Sequence, residues 1–184
     1  MILSKQVRLR AVEREDLPRF QRWLNDPEVT AGLMIYLPLS QMDEQNWFET
    51  MLKAPPEEHP LVIEVLQGET WIPIGNCGIH DVDHRIRSGE IGIFIGEKSY
   101  WNQGIGTLVM RLFLKHCFDT LNLNRVFLRV YEDNLRAIRS YERAGFVHEG
   151  RMRQAMYKQG RYLDVLLMSV LRAEWDSAAH EIEE

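Results

Sequence analysis

The stretch GEIGIFIGEKSYWNQGIGT, residues 89–107, decides the fold. Within residues 89–96, isoleucine occupies every second position, which is the period of two of a β-strand. From residue 105 onward the apolar side chains instead follow helical spacing, at Ile105, Leu108, Val109, Leu112, Phe113 and Cys117. The stretch therefore predicts a strand, a short loop and a glycine-containing turn that begins a long helix.

Two glycines, Gly104 and Gly106, lie at the predicted start of that helix. Glycine leaves the backbone N–H groups uncovered, and the helix dipole adds positive potential, so such a turn suits an anion such as a pyrophosphate. The same two glycines also suit a tight strand-to-helix turn with no ligand. Both interpretations fit this stretch when it is taken alone.

Length and composition predict one globular domain. The chain has 184 residues, of which 45% are hydrophobic and 27% charged, and it has no apolar run approaching the roughly 20 residues of a membrane span. We expect a core over about residues 6–175 and a frayed acidic tail over 176–184. The first residues lack the apolar run of a signal peptide, and Cys77 and Cys117 are isolated, so we expect a cytoplasmic protein.

The net charge of −5 disfavours nucleic acid as the main partner. It is compatible with a cationic substrate, and it excludes little else.

The remaining periodicity predicts the element order β-α-α-β-β-β-α-β-α-β-β. Helices are expected after Asp16, Ser40 and Asn134, besides the long one, and residues 28–39 are expected to be irregular, as either a substrate-site wall or a packed loop. The strand 89–96, the long helix and the strand 125–131 form one β-α-β crossover, whose strands should be parallel. The predicted fold class is α/β (α+β), a mixed and mostly antiparallel sheet flanked by helices, with its ligand at the carboxyl end of the crossover strands.

Several motifs in this order resemble the GNAT N-acetyltransferases. They are Gly104-x-Gly106 between a strand and a long helix, Asn134, and the block SYERAGF at residues 140–146. The form Tyr100-Trp101-x-x-Gly-x-Gly is similar to the branch that contains ribosomal-protein N-terminal acetyltransferases and spermidine acetyltransferases. The resemblance spans nearly all of residues 6–175.

The resemblance implies a single GNAT-like domain that binds acetyl-CoA. In the family, the strand equivalent to residues 93–95 splays from its parallel neighbour and its backbone binds the pantetheine arm, while the turn at 101–107 wraps the pyrophosphate. Many members carry Arg or Gln where this chain has Trp101, so one side-chain contact to phosphate is lost. The implied cofactor-binding residues are Ile93, Phe94, Ile95, Trp101, Asn102, Gln103, Gly104, Ile105, Gly106, Thr107 and Asn134. The side chain of Asn134 is also a suitable helix cap.

Two catalytic residues are predicted, one from the resemblance and one from the position of a carboxylate just before the cofactor-binding part of the central strand. Tyr141 matches the family's tyrosine near the cofactor sulfur, which returns a proton to the leaving thiolate; its position on an apolar helix stripe equally suits a core residue. Glu90 is the predicted base that takes the proton of the amine, and a solvated carboxylate at a strand start is the alternative. Some members place the base five residues before the asparagine, where this chain has Arg129. By the same resemblance, a backbone N–H of the central strand holds the oxyanion.

A histidine- and aspartate-rich segment, His80-Asp81-x-Asp83-His84, resembles a metal-binding cluster. It lies between two predicted strands, where polar turn residues are expected, and adjacent side chains of a strand alternate between faces. We therefore predict no metal site.

The predicted function is an acetyl-CoA-dependent N-acetyltransferase in which a primary amine attacks the thioester directly. The acceptor is either a protein N-terminal amine or a small amine such as spermidine, another polyamine or an amino sugar. The alternative of another class is a non-catalytic acyl-CoA-binding sensor. A dinucleotide-binding enzyme fits less well, because G-x-G lacks the third glycine. Exposed edge strands in the C-terminal hairpin favour a homodimer.

Overall fold

The computed structural model describes residues 1–178. Its strands are β1 Ile2–Leu3, β2 Val7–Ala11, β3 Leu61–Gln67, β4 Thr70–Asp83, β5 Ser88–Ile95, β6 Arg125–Tyr131, β7 Val147–Lys158 and β8 Arg161–Leu171. Its α-helices are α1 Leu17–Leu24, α2 Pro27–Thr30, α3 Gln41–Met51, α4 Ile105–Lys115, α5 Leu135–Ala144 and α6 Arg172–Ala178. Short 3₁₀ helices span Arg14–Asp16, Pro56–Glu58 and Lys98–Tyr100, and a π-helical turn, His116–Thr120, extends α4.

The chain forms two compact units. The first contains Met1–Ile79 and Gly92–Ile105, and the second contains His80–Ile91 and the chain from Gly106 onward. Strands are hydrogen-bonded in the order β1-β2-β3-β4 within the first unit and β5-β6-β8-β7 within the second. Strands β4 and β5 each contribute residues to both units.

The first unit is an antiparallel sheet covered by short helices. Strands β2 and β3 pair from Val7↔Val65 to Ala11↔Leu61. Helix α3 begins with a capping box, in which the side chains of Ser40 and Asp43 each accept from the other's backbone N–H. The core of this unit consists of Val12, Leu17, Phe20, Trp23, Val29, Phe48, Met51 and Val62, with Leu33, Phe94 and Trp101 packed against it.

An ion-pair network ties β2 to the start of α1. The guanidinium of Arg10 donates to both carboxylate oxygens of Asp16, at 2.7 and 2.8 Å, and its Nε donates to Glu64 at 3.0 Å. Asp16 was predicted to cap α1, but its side chain makes no capping bond to that helix and instead accepts from Arg10 and the Glu13 backbone. Leaving a buried carboxylate without a cation costs more free energy than leaving one helix N–H group without a side-chain cap.

The second unit contains the parallel pair. Strand β5 pairs with β6 at Ser88↔Arg125, Gly89↔Val126 and Glu90↔Phe127, and β6 pairs antiparallel with β8 along its whole length. The first turn of α4 is tied to α5 by a 3.1 Å hydrogen bond between the hydroxyls of Thr107 and Ser140. The crossover predicted from sequence is therefore confirmed, as is the mixed α/β fold with one parallel pair flanked by helices.

The local sequence signals gave most element positions, with a few differences. Strand β6 has the predicted bounds, and Gly145 ends α5 with a left-handed φ of 105°. Strand β4 continues to Asp83 rather than ending at His80, and β1, α2 and α6 were not predicted. Helix α6 includes residues 176–178 of the predicted tail, whose remainder, 179–184, lies outside the described residues. No helix among residues 1–178 is long and apolar enough to cross a membrane.

The backbone of residue 94 lies directly against Gly75. A Cβ atom on residue 75 would lie 2.1 Å from the carbonyl oxygen of Phe94 and 2.9 Å from Cα of Ile95. Neither of those atoms can rotate away, because both belong to the backbone. Gly75 therefore permits the close approach of β4 to the end of β5.

We expect Gly75→Ala to destabilise the protein by about 3 kcal/mol or more, since overpacking against backbone cannot be relieved by a rotamer change. The melting temperature should fall by roughly 6–12 °C in a calorimetric or dye-based melt. Gly150→Ala is the matched control, because a Cβ on residue 150 meets no atom within 4 Å. Equal melting temperatures for the two variants would contradict this account of Gly75.

Candidate active site

The glycine turn has the backbone expected of a phosphate loop. Asn102 and Gly104 both have left-handed φ angles, of 61° and 78°, and α4 begins at the next residue, Ile105. Asn102, Gln103 and Gly104 are exposed, and a Cβ atom on residue 104 would meet no atom within 4 Å. The turn therefore leaves open space over its backbone at the amino end of a helix, where backbone N–H groups attract anions.

The strand segment before the turn is anchored in the first unit. Ile93, Phe94 and Ile95 are half-buried, and the ring of Phe94 packs edge-on against Phe20 and Trp23 at centroid distances of 6.3 and 6.2 Å. These contacts fix the direction in which the end of β5 leaves the core.

The side chain of Trp101 has a structural partner. Its indole Nε1 donates to the carbonyl of Ile95 at 2.8 Å, and its ring packs against the core of the first unit. The indole thus closes the loop that joins the end of β5 to the turn. Any contact of residue 101 with a phosphate must therefore come from its backbone.

The parallel ladder between β5 and β6 is short. It consists of the three pairs that end at Glu90↔Phe127, although β5 continues to Ile95. A strand whose pairing ends early has backbone groups in position for an added extended ligand.

Tyr141 is buried on α5, with its ring centroid 5.9 Å from that of Phe146. Burial raises the pKa of the phenol to about 12, and the charge of Arg136 opposes that rise. The phenol is therefore protonated at neutral pH, so Tyr141 is a proton donor there and not a base.

Asn134, which follows Asp133, directly precedes α5. Its side-chain oxygen accepts a hydrogen bond from the backbone N–H of Ala137 at 3.3 Å and so caps the helix.

Glu90 is buried and forms a two-pronged ion pair. Both of its carboxylate oxygens accept from Arg129, from Nε at 2.8 Å and from a terminal nitrogen at 2.8 Å. The Glu90 side chain is 9% exposed and that of Arg129 is 41% exposed. The hydrogen bond to Glu90 raises the pKa of Arg129.

Two further polar residues lie beside Glu90 that sequence reasoning did not join to it. One nitrogen of His80 and one carboxylate oxygen each of Asp81 and Glu90 lie within 4.8 Å of one another. Asp81 has a left-handed φ of 53°, which breaks the strand alternation on which the separation of His80 and Asp81 was predicted. The HDVDH segment was visible in the sequence, but its proximity to Glu90 could not be predicted from spacing along the chain.

Comparison with known proteins agrees with the fold. The family profile described as "Acetyltransferase (GNAT) domain" matches residues 6–147. A spermidine N(1)-acetyltransferase of Vibrio cholerae is 30% identical over 94% of this chain and 97% of its own length. A putative ribosomal N-acetyltransferase YdaF of Bacillus subtilis is 24% identical over 95% of this chain and 96% of its own length.

Comparison with solved structures also supports this fold. The crystal structure of spermidine N-acetyltransferase from Vibrio cholerae in complex with CoA and spermine superposes with a TM-score of 0.83 at 27% identity, and the match covers 94% of this chain and 99% of that one. The family match and the fold thus define an acyltransferase of the CoA-dependent type. This chain belongs to the GNAT N-acetyltransferase family, as its motifs predicted.

Proposed function

We propose that this enzyme transfers the acetyl group of acetyl-CoA to a cationic primary amine by direct attack of the amine on the thioester. The observation that carries the proposal is the turn with two left-handed residues, Asn102 and Gly104, at the amino end of α4, within the matched GNAT region. In the proposal, residues 101–107 hold the pyrophosphate and residues 93–95 hold the pantetheine arm. Asn134 contacts that arm besides capping α5.

Tyr141 is the proposed proton donor to the departing thiolate. A phenol with a pKa of about 12 keeps its proton until the sulfur develops negative charge. The burial that produces this pKa also excludes water, which strengthens a hydrogen bond from the phenol to an anion.

Glu90 was predicted to take the proton of the amine, directly or through a water molecule. In the structure both of its oxygens accept hydrogen bonds from Arg129, so neither is without a partner. Glu90 remains part of the proposed catalytic machinery as a negative group near the amine.

The names of the relatives suggest two kinds of acceptor amine. The relatives named above include spermidine acetyltransferases and a ribosomal N-acetyltransferase, so a small polyamine and a protein N-terminus are both candidates. Glu44 favours the polyamine: it is buried on α3 beside Phe48 and Met51, and burial together with Asp43 raises the pKa of its carboxyl. An ammonium group would offset that desolvation, while apolar neighbours suit the methylene chain.

We also propose one catalytic domain, a cytoplasmic location and a homodimer. The family match runs through both compact units, which supports one catalytic domain. Cys77 and Cys117 are buried and form no disulfide among the described residues, which supports a cytoplasmic location. Strand β7 is exposed over most of its length and lies at the edge of its unit, which supports a homodimer formed through that edge; sedimentation velocity tests this.

Acetyl-CoA should raise the melting temperature, and NAD should not. At a ligand concentration of about 100 times the dissociation constant, the expected stabilisation is about 2.7 kcal/mol, or roughly 5–10 °C. Gly104→Ala should remove most of this shift, because a Cβ would enter the open space over the turn and distort its backbone.

Gly160→Ala is the control for that measurement. Gly160 lies in the turn between β7 and β8 with a φ of 79°, close to the 78° of Gly104, and a Cβ there also meets nothing within 4 Å. Both variants should lose about 1–2 kcal/mol of stability from the strained φ, but only the first should lose the ligand shift. The absence of any shift with acetyl-CoA in the wild-type protein would overturn the proposed function.

Tyr141→Phe should lower kcat by about 10²–10⁴-fold in an assay of thiol release, because it removes the proton donor and keeps the packed ring. The melting-temperature shift with acetyl-CoA should remain that of the wild type. A variant with unchanged turnover would make Tyr141 a core residue only. An acetyl-CoA shift without turnover on any amine would instead favour the non-catalytic sensor.

An amine panel of spermidine, an amino sugar and a peptide with a free N-terminus identifies the acceptor. We expect spermidine to be the best substrate and Glu44→Gln to raise its KM by about tenfold, the loss of roughly 1.4 kcal/mol of charge-assisted binding. Glu49→Gln, on the exposed side of the same helix, is the control. Preference for the peptide, with no effect of Glu44→Gln, would place the enzyme among the protein N-terminal acetyltransferases.

A further inference from the structure

The HDVDH segment is the one motif of the sequence that the proposed function leaves unused. In the structure its first two residues, His80 and Asp81, turn toward each other rather than to opposite faces of β4. Nδ1 of His80 lies 3.2 Å from a carboxylate oxygen of Asp81, and Asp81 has the left-handed φ of 53°. This conformation interrupts the strand alternation at residue 81 and so brings the two side chains together.

This contact determines which nitrogen of His80 holds the proton of the neutral ring. An ionised carboxylate only accepts hydrogen bonds, so Nδ1 must be the donor. Nε2 of the same ring then has its lone pair free to accept a proton. An imidazole oriented by a carboxylate through Nδ1, with Nε2 facing the reacting group, is the arrangement of a general base.

Three charged groups lie near the ring of His80. Asp81 from β4 and Glu90 from β5 contribute two negative charges near His80, and Arg129 from β6, which pairs with Glu90, contributes one positive charge. The net charge facing the ring is therefore negative. The side chain of His80 is 50% exposed, so an amine from solvent has access to it.

A metal ion fits this cluster less well than a proton does. The three donor atoms are close enough to coordinate one ion, but both oxygens of Glu90 already accept from Arg129. A divalent cation would have to displace the guanidinium or lie beside its positive charge. Both oxygens of Glu90 are thus already engaged in charge-assisted hydrogen bonds.

We propose that His80, oriented by Asp81, is the general base that takes the proton of the acceptor amine, and that Glu90 and Arg129 position and polarise it. The inference rests on the proposed function. The amine nitrogen forms a bond to the acetyl carbon, and Nε2 of His80 takes one proton from that nitrogen. The carbon–sulfur bond breaks, and the thiolate takes the phenolic proton of Tyr141. Solvent then carries a proton from the imidazolium to the phenolate, so a neutral amine and acetyl-CoA yield the amide and the free thiol.

The test is the dependence of kcat/KM on pH for wild type, His80→Gln and Glu90→Gln. We expect His80→Gln to lower kcat/KM by about 10²–10⁴-fold and to remove the acid limb of the profile. His84→Gln, four residues further along the same segment, is the matched control and should keep the wild-type profile. Asp81→Asn should lower kcat/KM less than His80→Gln while retaining the acid limb, since it removes only the group that orients the ring.

The outcomes separate the inference from the function on which it rests. A His80→Gln variant within about twofold of wild type, or an acid limb lost only in Glu90→Gln, would overturn the role of His80 and leave the acetyltransferase in place. Absence of turnover in the wild type would overturn both. The acetyl-CoA shift in melting temperature should be unchanged in His80→Gln, and its loss would mean that this residue supports the fold rather than the proton transfer.

Discussion

The short parallel ladder between β5 and β6 is the constraint on which the site depends. Parallel neighbours need a crossover, and here the crossover is the glycine turn followed by α4. Beyond Glu90↔Phe127 the strand β5 no longer pairs with β6. Its last residues are held within the first unit by the packing of Phe94, by the close approach to Gly75 and by hydrogen bonds from the backbone N–H groups of residues 96 and 97 to the carbonyl of Ile74. The strand segment before the turn is therefore placed by its contacts within the first unit rather than by continued pairing with β6.

The same ladder brings Glu90 and Arg129 together. Glu90 pairs in register with Phe127, and Arg129 lies two residues further along β6, on the same face as Phe127. A carboxylate that is nearly buried needs a cation, and a half-exposed arginine on the neighbouring strand supplies one without the full desolvation of a second ion. The pair thus makes a charged group tolerable at the point where the two strands stop pairing.

Local rules were sufficient for most elements and insufficient for the side-chain partnerships. The cap at Asn134, the left-handed Gly145 and the period of two in β6 are each readable within a few residues, and each is found in the structure. The partners of Glu90 and of the Trp101 indole depend on how separate segments come together, which spacing along the chain does not encode. The left-handed conformation of Asp81 is a further case.

The rule that adjacent strand side chains point to opposite faces assumes the φ values of an extended strand. The identity of residue 81 as an aspartate does not predict its left-handed φ. Aspartate is tolerated there better than most residues, since its short polar side chain bonds locally, as it does with His80. Because of that exception, the side chains of His80 and Asp81 lie together near Glu90 instead of on opposite faces of β4.

Charge balance explains why an arginine belongs in a cluster that would handle a cationic amine. Two carboxylates close to an ammonium group would favour its charged form, and a charged nitrogen has no lone pair for attack on the thioester. Arg129 cancels one of the two negative charges, leaving enough attraction to draw the amine toward the cluster and less resistance to its deprotonation. A proton acceptor that is neutral before transfer, as an imidazole is, avoids adding a third negative charge. The composition of the cluster, with two acids, one arginine and one histidine, is thus the one expected where an amine must be attracted as a cation and react as a neutral nucleophile.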